Sequence, residues 1–296
     1  MNKGLIITLI SLLSIIAVGL IVGLVLAIKS DFKFNFDEID ISSNLSTNLI
    51  EEKEIENIKD LDINTNIADV NIEESDRNNI KVELYSNHVK NYEITEEENT
   101  IKVIFEEKKL TGFVFFRKIA NAKIYVPKKY SNLIKIDSKT GDIKIGSIAN
   151  ANLQVKSDVG DVKVKEVDKA TITDRVGDVK FEKVNELVTE VKTGDTKVTT
   201  VNDIKSKTTT GDIKIITVNN SLNLTSKTGD IKVETANLKE DSKIVSNVGD
   251  VNIKKTTGCY VEGKANVGDT NINNNDRKSD VILKITSSVG DIKVNY

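Results

Sequence analysis

Residues 194–228 read GDTKVTTVNDIKSKTTT and then GDIKIITVNNSLNLTSKT, two successive copies of one short unit that opens on Gly-Asp and carries a lysine two residues after the Asp. Working outward, the pair recurs at Gly141-Asp142, Gly160-Asp161, Gly177-Asp178, Gly194-Asp195, Gly211-Asp212, Gly229-Asp230, Gly249-Asp250, Gly268-Asp269 and Gly290-Asp291, with spacings of 19, 17, 17, 17, 18, 20, 19 and 22 residues. A unit of this length cannot bury an apolar face by itself and gains a core only by stacking on its neighbours. The period therefore predicts an all-β, single-stranded β-solenoid, parallel β-helix-like, with about 17–22 residues per coil.

Aligning the copies assigns each position a task. The residue after Asp is Ile143, Val162, Val179, Thr196, Ile213, Ile231, Val251, Thr270 or Ile292, and two further on stands Ile145, Val164, Phe181, Val198, Ile215, Val233, Ile253, Ile272 or Val294. Both positions point inward, and the residue between them points to solvent, as a period of two requires. That residue is Lys144, Lys163, Lys180, Lys197, Lys214, Lys232, Asn252, Asn271 or Lys293. A second short strand is expected before each Gly, as in Leu153–Ser157 or Leu222–Ser226. Nine such rungs at the inter-strand spacing would make a rod about 43 Å long.

The Gly at each corner is expected to provide positive φ or close backbone approach, and the Asp to accept hydrogen bonds from turn amides. Stacked carboxylates repel, and the lysines two residues on form an adjacent ladder of opposite sign that offsets this. The same carboxylates raise the alternative of a calcium site, which needs oxygen ligands. The nonapeptide spacing of calcium-binding β-rolls is missing and Lys intrudes, so no cofactor is expected. Lys144, Lys163, Lys180, Lys197, Lys214 and Lys232 form the candidate basic binding face.

Composition narrows the chemistry. With no Trp, one Pro, six Tyr and eight Phe among 296 residues, the interior must be Ile, Val and Leu. A single cysteine, Cys259, excludes an intramolecular disulfide, and a single histidine, His88, leaves no His pair for zinc. The net charge of -3 hides an asymmetry: residues 31–100 carry 6 basic and 19 acidic side chains, and residues 101–296 carry 34 basic and 26 acidic. A basic rod on an acidic base favours anionic partners such as wall polymers or lipid headgroups, unless these are simply solvated faces of mixed charge. Nothing points to nucleic acid.

From Gly4 to Ile28 the chain carries no charge over 25 residues. As a helix that is about 37 Å, enough for a hydrocarbon core of about 30 Å. We expect a transmembrane anchor rather than a cleaved signal peptide, because the run exceeds the ordinary h-region of about 7–15 residues. Lys3 on one side and Lys29 and Lys33 on the other barely set the orientation. A short tail before the anchor and a long domain after it fit a signal-anchor in the cell membrane that exports the solenoid.

Residues 29–58 read as a polar, acidic stalk ending in the run Glu51–Glu56, and residues 59–132 as N-terminal strands and cap of the solenoid, which becomes regular over 133–296. Phe105, Phe113, Phe115 and Phe116, with Leu110, are expected to cover the first rung, the alternative being a lipid- or ligand-touching patch. At the other end, Gly290-Asp291-Ile292-Lys293-Val294-Asn295-Tyr296 stops within a rung, which predicts an edge able to pair with another chain unless the last residues cover it.

Three features together, Leu61-Asp62-Ile63 followed by Ala68-Asp69-Val70-Asn71-Ile72, the strand Ile124-Tyr125-Val126-Pro127, and the chain of Gly-Asp coils, resemble the bacterial putative-adhesin family of β-solenoid domains from about residue 59 onward. The resemblance implies no catalytic residues, and membrane-anchored members look like accessory proteins of envelope stress response. The expected function is a non-catalytic, extracytoplasmic solenoid that binds or scaffolds cell-envelope components, such as anionic wall polymers or membrane proteins. A self-assembling membrane-associated scaffold is the alternative. A polysaccharide-active enzyme is a weaker one, since the repeats contain no histidine and no irregular acidic cluster.

Overall fold

The computed structural model describes residues 47–108, 120–273 and 278–296; the apolar segment 4–28, residues 29–46, and Leu110, Phe113, Phe115 and Phe116 lie outside them. The described residues form 21 strands and no helix, so none long and apolar enough to cross a membrane.

Strand β13 (Thr196–Thr210) shows how one unit folds. Its buried residues are Thr196, Val198, Val201, Ile204, Ser206 and Thr208. Within each limb the inward step is two residues, but from Val198 to Val201 and from Val201 to Ile204 it is three. Two neighbours then face solvent together and the strand bends. Each coil turns at these two bends and at Gly-Asp. The backbone ladder continues through the bends, so the two short strands expected per coil are one strand, 15 residues in β11 (Val162–Val176), β12 (Val179–Thr193) and β13, and 16 in β14 (Ile213–Thr228).

Stacking is parallel and in register. β12 pairs with β13 from Val179↔Thr196 to Thr193↔Thr210, so each residue meets its counterpart in the next copy. Between β13 and β14 the register shifts between Val201 and Asp203, where the 18-residue copy absorbs its extra residue at a bend. The core is a stack of Ile, Val and Leu in which Phe105, Tyr130 and Phe181 are the buried aromatics.

The ends of the stack do not follow chain order. At the start, β2 (Asp60–Thr65) lies between β6 (Thr100–Glu107) and β8 (Leu133–Ser138), and β3 (Ala68–Ser75) lies between β7 (Ala120–Pro127) and β9 (Ile143–Ser147). The segment 60–75 is thus a full rung inside the rod, and β6 with β7 is a further rung that lacks Gly-Asp. β10 (Asn152–Val159) carries the stack from β8 to β11.

Three antiparallel strands close this end. β5 (Val89–Glu96) pairs with β6, β4 (Ile80–Tyr85) with β7, and β1 (Leu49–Ile55) with β4. The acidic run expected to end a stalk is therefore largely strand β1. Its one fully buried side chain is Ile55, and its acids pair outward, Glu52 with Lys81 and Glu54 with Arg77. Only Phe105 of the phenylalanine cluster is described, and it is a core residue of β6 with no exposed surface.

At the far end the chain also skips a place. β16 (Ser242–Val248) pairs with β14 and β20 (Ile282–Val289), and β20 pairs onward with β18 (Tyr260–Val267). In the other limb β17 (Val251–Thr257) pairs with β15 (Ile231–Asn237) and β21 (Ile292–Val294), and β21 pairs onward with β19 (Thr270–Ile272). The last coil in sequence is inserted beneath the one before it. Of the two readings of Gly290–Tyr296 the open edge is excluded, because β21 has a neighbour on both sides. Asn295 exchanges backbone bonds with Ile253 and Thr256, and the Tyr296 hydroxyl donates to the Cys259 carbonyl at 2.9 Å. The outermost rung is β18 with β19.

Candidate functional site

Each corner rests on the corner of the neighbouring rung. At Gly194 φ is +141°, and a Cβ there would lie 1.9 Å from the Gly177 carbonyl oxygen. Both the conformation and the contact exclude any other residue. Eight of the nine corner glycines share this positive φ; Gly177 does not, although a Cβ on it would still meet the Gly160 carbonyl oxygen at 2.0 Å.

The aspartates make one continuous chain of contacts. The amide of Asp161 donates to the Asp142 carboxylate, Asp178 to Asp161, and Asp195 to Asp178, each at 3.0 Å. The chain starts at Asp69, which accepts from Asp142 at 2.8 Å, and continues through Asp212, Asp230 and Asp250. The other carboxylate oxygen faces the lysine two residues on: Lys163–Asp161 is 3.1 Å, Lys180–Asp178 3.3 Å, Lys197–Asp195 3.2 Å and Lys232–Asp230 3.0 Å.

Electrostatics follow this geometry. Burial pushes Asp161 and Asp230 up, but the amide of the next rung and the lysine overcome it and hold both below the ordinary carboxylate range. Asp69 has Asn71 where Asp161 and Asp230 have Lys, and there burial wins over the Asp142 amide and its pKa is raised. Among the described residues no group of three or more His, Cys, Asp or Glu is placed to hold a metal ion.

The six lysines of the candidate basic face stand in one ladder, Lys144↔Lys163↔Lys180↔Lys197↔Lys214↔Lys232, flanked by Asn71 and Asn252. Each has an Asp two residues before it, so this ladder and its neighbour cancel in charge.

Sequence alignment of the corners missed a second surface on the limb before Gly. A groove of about 480 Å³ there is lined by Lys156, Arg175, Lys192, Lys207 and Lys227, with Thr173, Thr209, Asp158 and Glu190. The strand register places these cations on five successive rungs, one per rung, Lys156 and Lys207 four residues before Gly and Arg175, Lys192 and Lys227 two before it. Reading those two columns of the repeat side by side would have shown it.

Beneath the groove runs a buried row that is polar except at Val191: Ser138, Ser157, Asp174, Val191, Thr208, Ser226, Ser246 and Ser287. Ser226 and Ser246 donate to the carbonyls of Gly229 and Gly249 at 3.2 and 3.0 Å. Asp174 occupies that place at the Gly177 corner, is 1% exposed, and neither carboxylate oxygen has a hydrogen-bond partner. Burial pushes its pKa up to about 6, moderated by the nearby Ser157 hydroxyl and the amides of Val176 and Arg175.

A family model described as Toastrack DUF4097 matches residues 58–201 and 182–296. No curated protein matches the chain. Among solved structures, the chain is similar to a "putative adhesin" from Bacteroides fragilis, at 17% identity and a TM-score of 0.43, covering 85% of this chain and 98% of that one. It is also similar to a "putative lipid binding protein" from Parabacteroides distasonis, at 16% identity and a TM-score of 0.44, covering 82% and 96%. A third is a "putative cell adhesion protein" from Clostridium sporogenes, at 16% identity and a TM-score of 0.28, covering 83% and 98%.

Proposed function

The chain belongs to the Toastrack DUF4097 family, and from that premise we propose that it is a non-catalytic, membrane-anchored, extracytoplasmic rod that binds or scaffolds components of the cell envelope. The observation that carries this reading is the uniformity of the outward ladders. The lysine ladder and the aspartate-to-amide contacts repeat in register over six rungs, with the φ of Gly177 the one departure among their corners. An active site needs a unique convergence of acid, base and substrate groups, whereas repeated identical groups suit an extended partner that makes the same contact many times. The uncharged residues 4–28 supply the anchor.

The topology is tested with a membrane-impermeant maleimide on intact cells. Cys259 is fully buried and is a poor reporter, so the exposed Glu182 is replaced instead, as E182C in a C259S background. Labelling of intact cells supports the extracytoplasmic reading. Labelling only after permeabilisation places the rod inside and overturns it.

A specific observation favours the scaffold alternative. Among the described residues the rung β18–β19 has hydrogen-bonded neighbours on one side only, and its Val267 is 63% exposed. Edge-to-edge assembly there predicts concentration-dependent oligomers that V267K suppresses.

A further inference from the structure

We propose that the groove lined by Lys156, Arg175, Lys192, Lys207 and Lys227 binds an extended linear polyanion lying along the rod axis, with its anionic groups meeting successive rungs. The inference deepens the proposed envelope-binding function and rests on it, but not on the orientation of the rod in the membrane.

Charge balance selects this face over the lysine ladder. In the ladder every lysine has its own aspartate, and four of those pairs are within 3.3 Å. In the groove Arg175 pairs with Asp158 at 3.7 Å, Lys207 with Glu190 at 2.8 Å and Lys156 with Asp137 at 3.6 Å, and the one further lining carboxylate, Asp174, is buried, so two of the five cations are left over. Lys192 and Lys227 form no ion pair with the described residues. The outward row beside the groove, Gln154, Thr171, Val188, Lys205 and Asn223, contains no carboxylate. A polyanion therefore meets net positive charge here and a neutral surface on the ladder face.

Geometry selects the ligand class. One cation per rung, staggered over two adjacent outward columns, makes a band about 19 Å long, and each lysine ammonium is a point charge that meets an anionic oxygen from many directions. Thr173 and Thr209 add hydroxyl donors between the charges. The matching ligand is a stretched chain whose anionic groups recur every one or two rungs, about 5 or 10 Å. Phosphodiester and carboxylate polymers share this chemistry.

The test uses the full chain in non-ionic detergent, with fluorescently labelled poly(glycerol phosphate) in one arm and poly-L-glutamate in the other, read by anisotropy at two salt concentrations. K192E/K227E is expected to weaken binding roughly tenfold or more and to flatten the salt dependence, which reports the number of contacts. K144E/K214E, on the ladder face, is expected to change it less than about threefold. Thermal unfolding of both variants checks the fold, and all four side chains are exposed or at the groove rim, so each variant is expected to melt near the wild type. Binding of either polymer that is lost only with the groove pair supports the proposal, and the arm that binds names the anion. Equal losses with both pairs, or a larger loss with the ladder pair, overturn the groove assignment while leaving the envelope-binding reading standing. Absence of binding to both polymers overturns the groove assignment as well.

Discussion

The backbone amide of Asp291 donates to the carboxylate of Asp250 at 2.9 Å, across 41 positions of sequence, and the amide of Asp269 donates to Asp291 at the same distance. The aspartate chain that follows the sequence along the middle of the rod thus runs 250, 291, 269 at its end. The coil carrying Gly290 is sandwiched, and the rod cannot fray from its final residue as a simple stack of repeats would.

A shorter truncation is therefore expected to do more harm than a longer one. Ending the chain after Asp280 removes Leu283, Ile285, Ile292 and Val294, all buried, and leaves β18 and β19 with no rung to rest on. Each of those side chains contributes about 1.5–3 kcal/mol of burial. Ending it after Thr257 removes both coils together and leaves β16 and β17 as a complete rung. Thermal unfolding and limited proteolysis of residues 259–273 distinguish the two: the first variant is expected to be cleaved there and to melt lower than the second.

Gly194→Ala is expected to cost about 3 kcal/mol or more. The added methyl would sit 1.9 Å from a backbone oxygen that belongs to a packed corner and has no freedom to withdraw. Lys165→Ala, at an exposed position of the same stack, is expected to stay within about 0.5 kcal/mol. Chemical denaturation of the two variants beside the wild type measures both.

Asp178→Asn and Asp178→Ala separate the two roles of the ladder carboxylate. Asn keeps an oxygen that accepts from the Asp195 amide and loses the pairing with Lys180, a half-buried ion pair still reached by solvent and of small value. Its cost is expected below about 0.5 kcal/mol. Ala also abandons the amide and is expected to cost about 1–2 kcal/mol. If Asn proved as costly as Ala, charge rather than amide capping would be what holds the corner.

Asp174 makes stability depend on pH in a direction opposite to the ladder. Its folded pKa, about 6, lies above that of an unfolded aspartate. The contribution is fully present below the unfolded value, near pH 4, and is lost as pH rises through about 6, on the order of 3 kcal/mol. Asp161 and Asp230 are held low, so their contribution is present above the unfolded value and lost as pH falls through the folded one. D174N is expected to remove the loss between pH 4 and 7. D174S restores the hydroxyl that Ser226 directs at its own corner glycine and is expected to be the more stable protein at pH 7.5. Unfolding free energies measured across this range check both.

Much of the site was legible as sequence because its logic is local. Gly and Asp at a fixed spacing, followed by apolar-Lys-apolar, specify a corner and a limb whatever lies above them, and the lysines Lys144 to Lys232 then fall into one ladder by register. The groove cations escaped notice because they are divided between two columns that also hold Asp137, Asp158 and Glu190, and no single column of the repeat looks basic. Asp174 is legible only as a departure, a carboxylate where the other coils place Ser, Thr or Val, and its effect depends on the burial above Gly177.

By itself, the sequence determined the coil: its period, its inward side chains, its corners and the lysine row that follows each corner, all consequences of a two-residue alternation and of the conformation available to glycine. Only the tertiary structure decided the order of the rungs, which places residues 60–75 between β6–β7 and β8–β9 and β20–β21 beneath β18–β19. The physical reason is that rungs join through backbone amides and carbonyls, which are the same in every coil. Which coil lies on which is reflected in long-range contacts particular to one coil, such as the Tyr296 hydroxyl on the Cys259 carbonyl and the Thr256 amide on the Asn295 carbonyl, and in the antiparallel strands that occupy the other end.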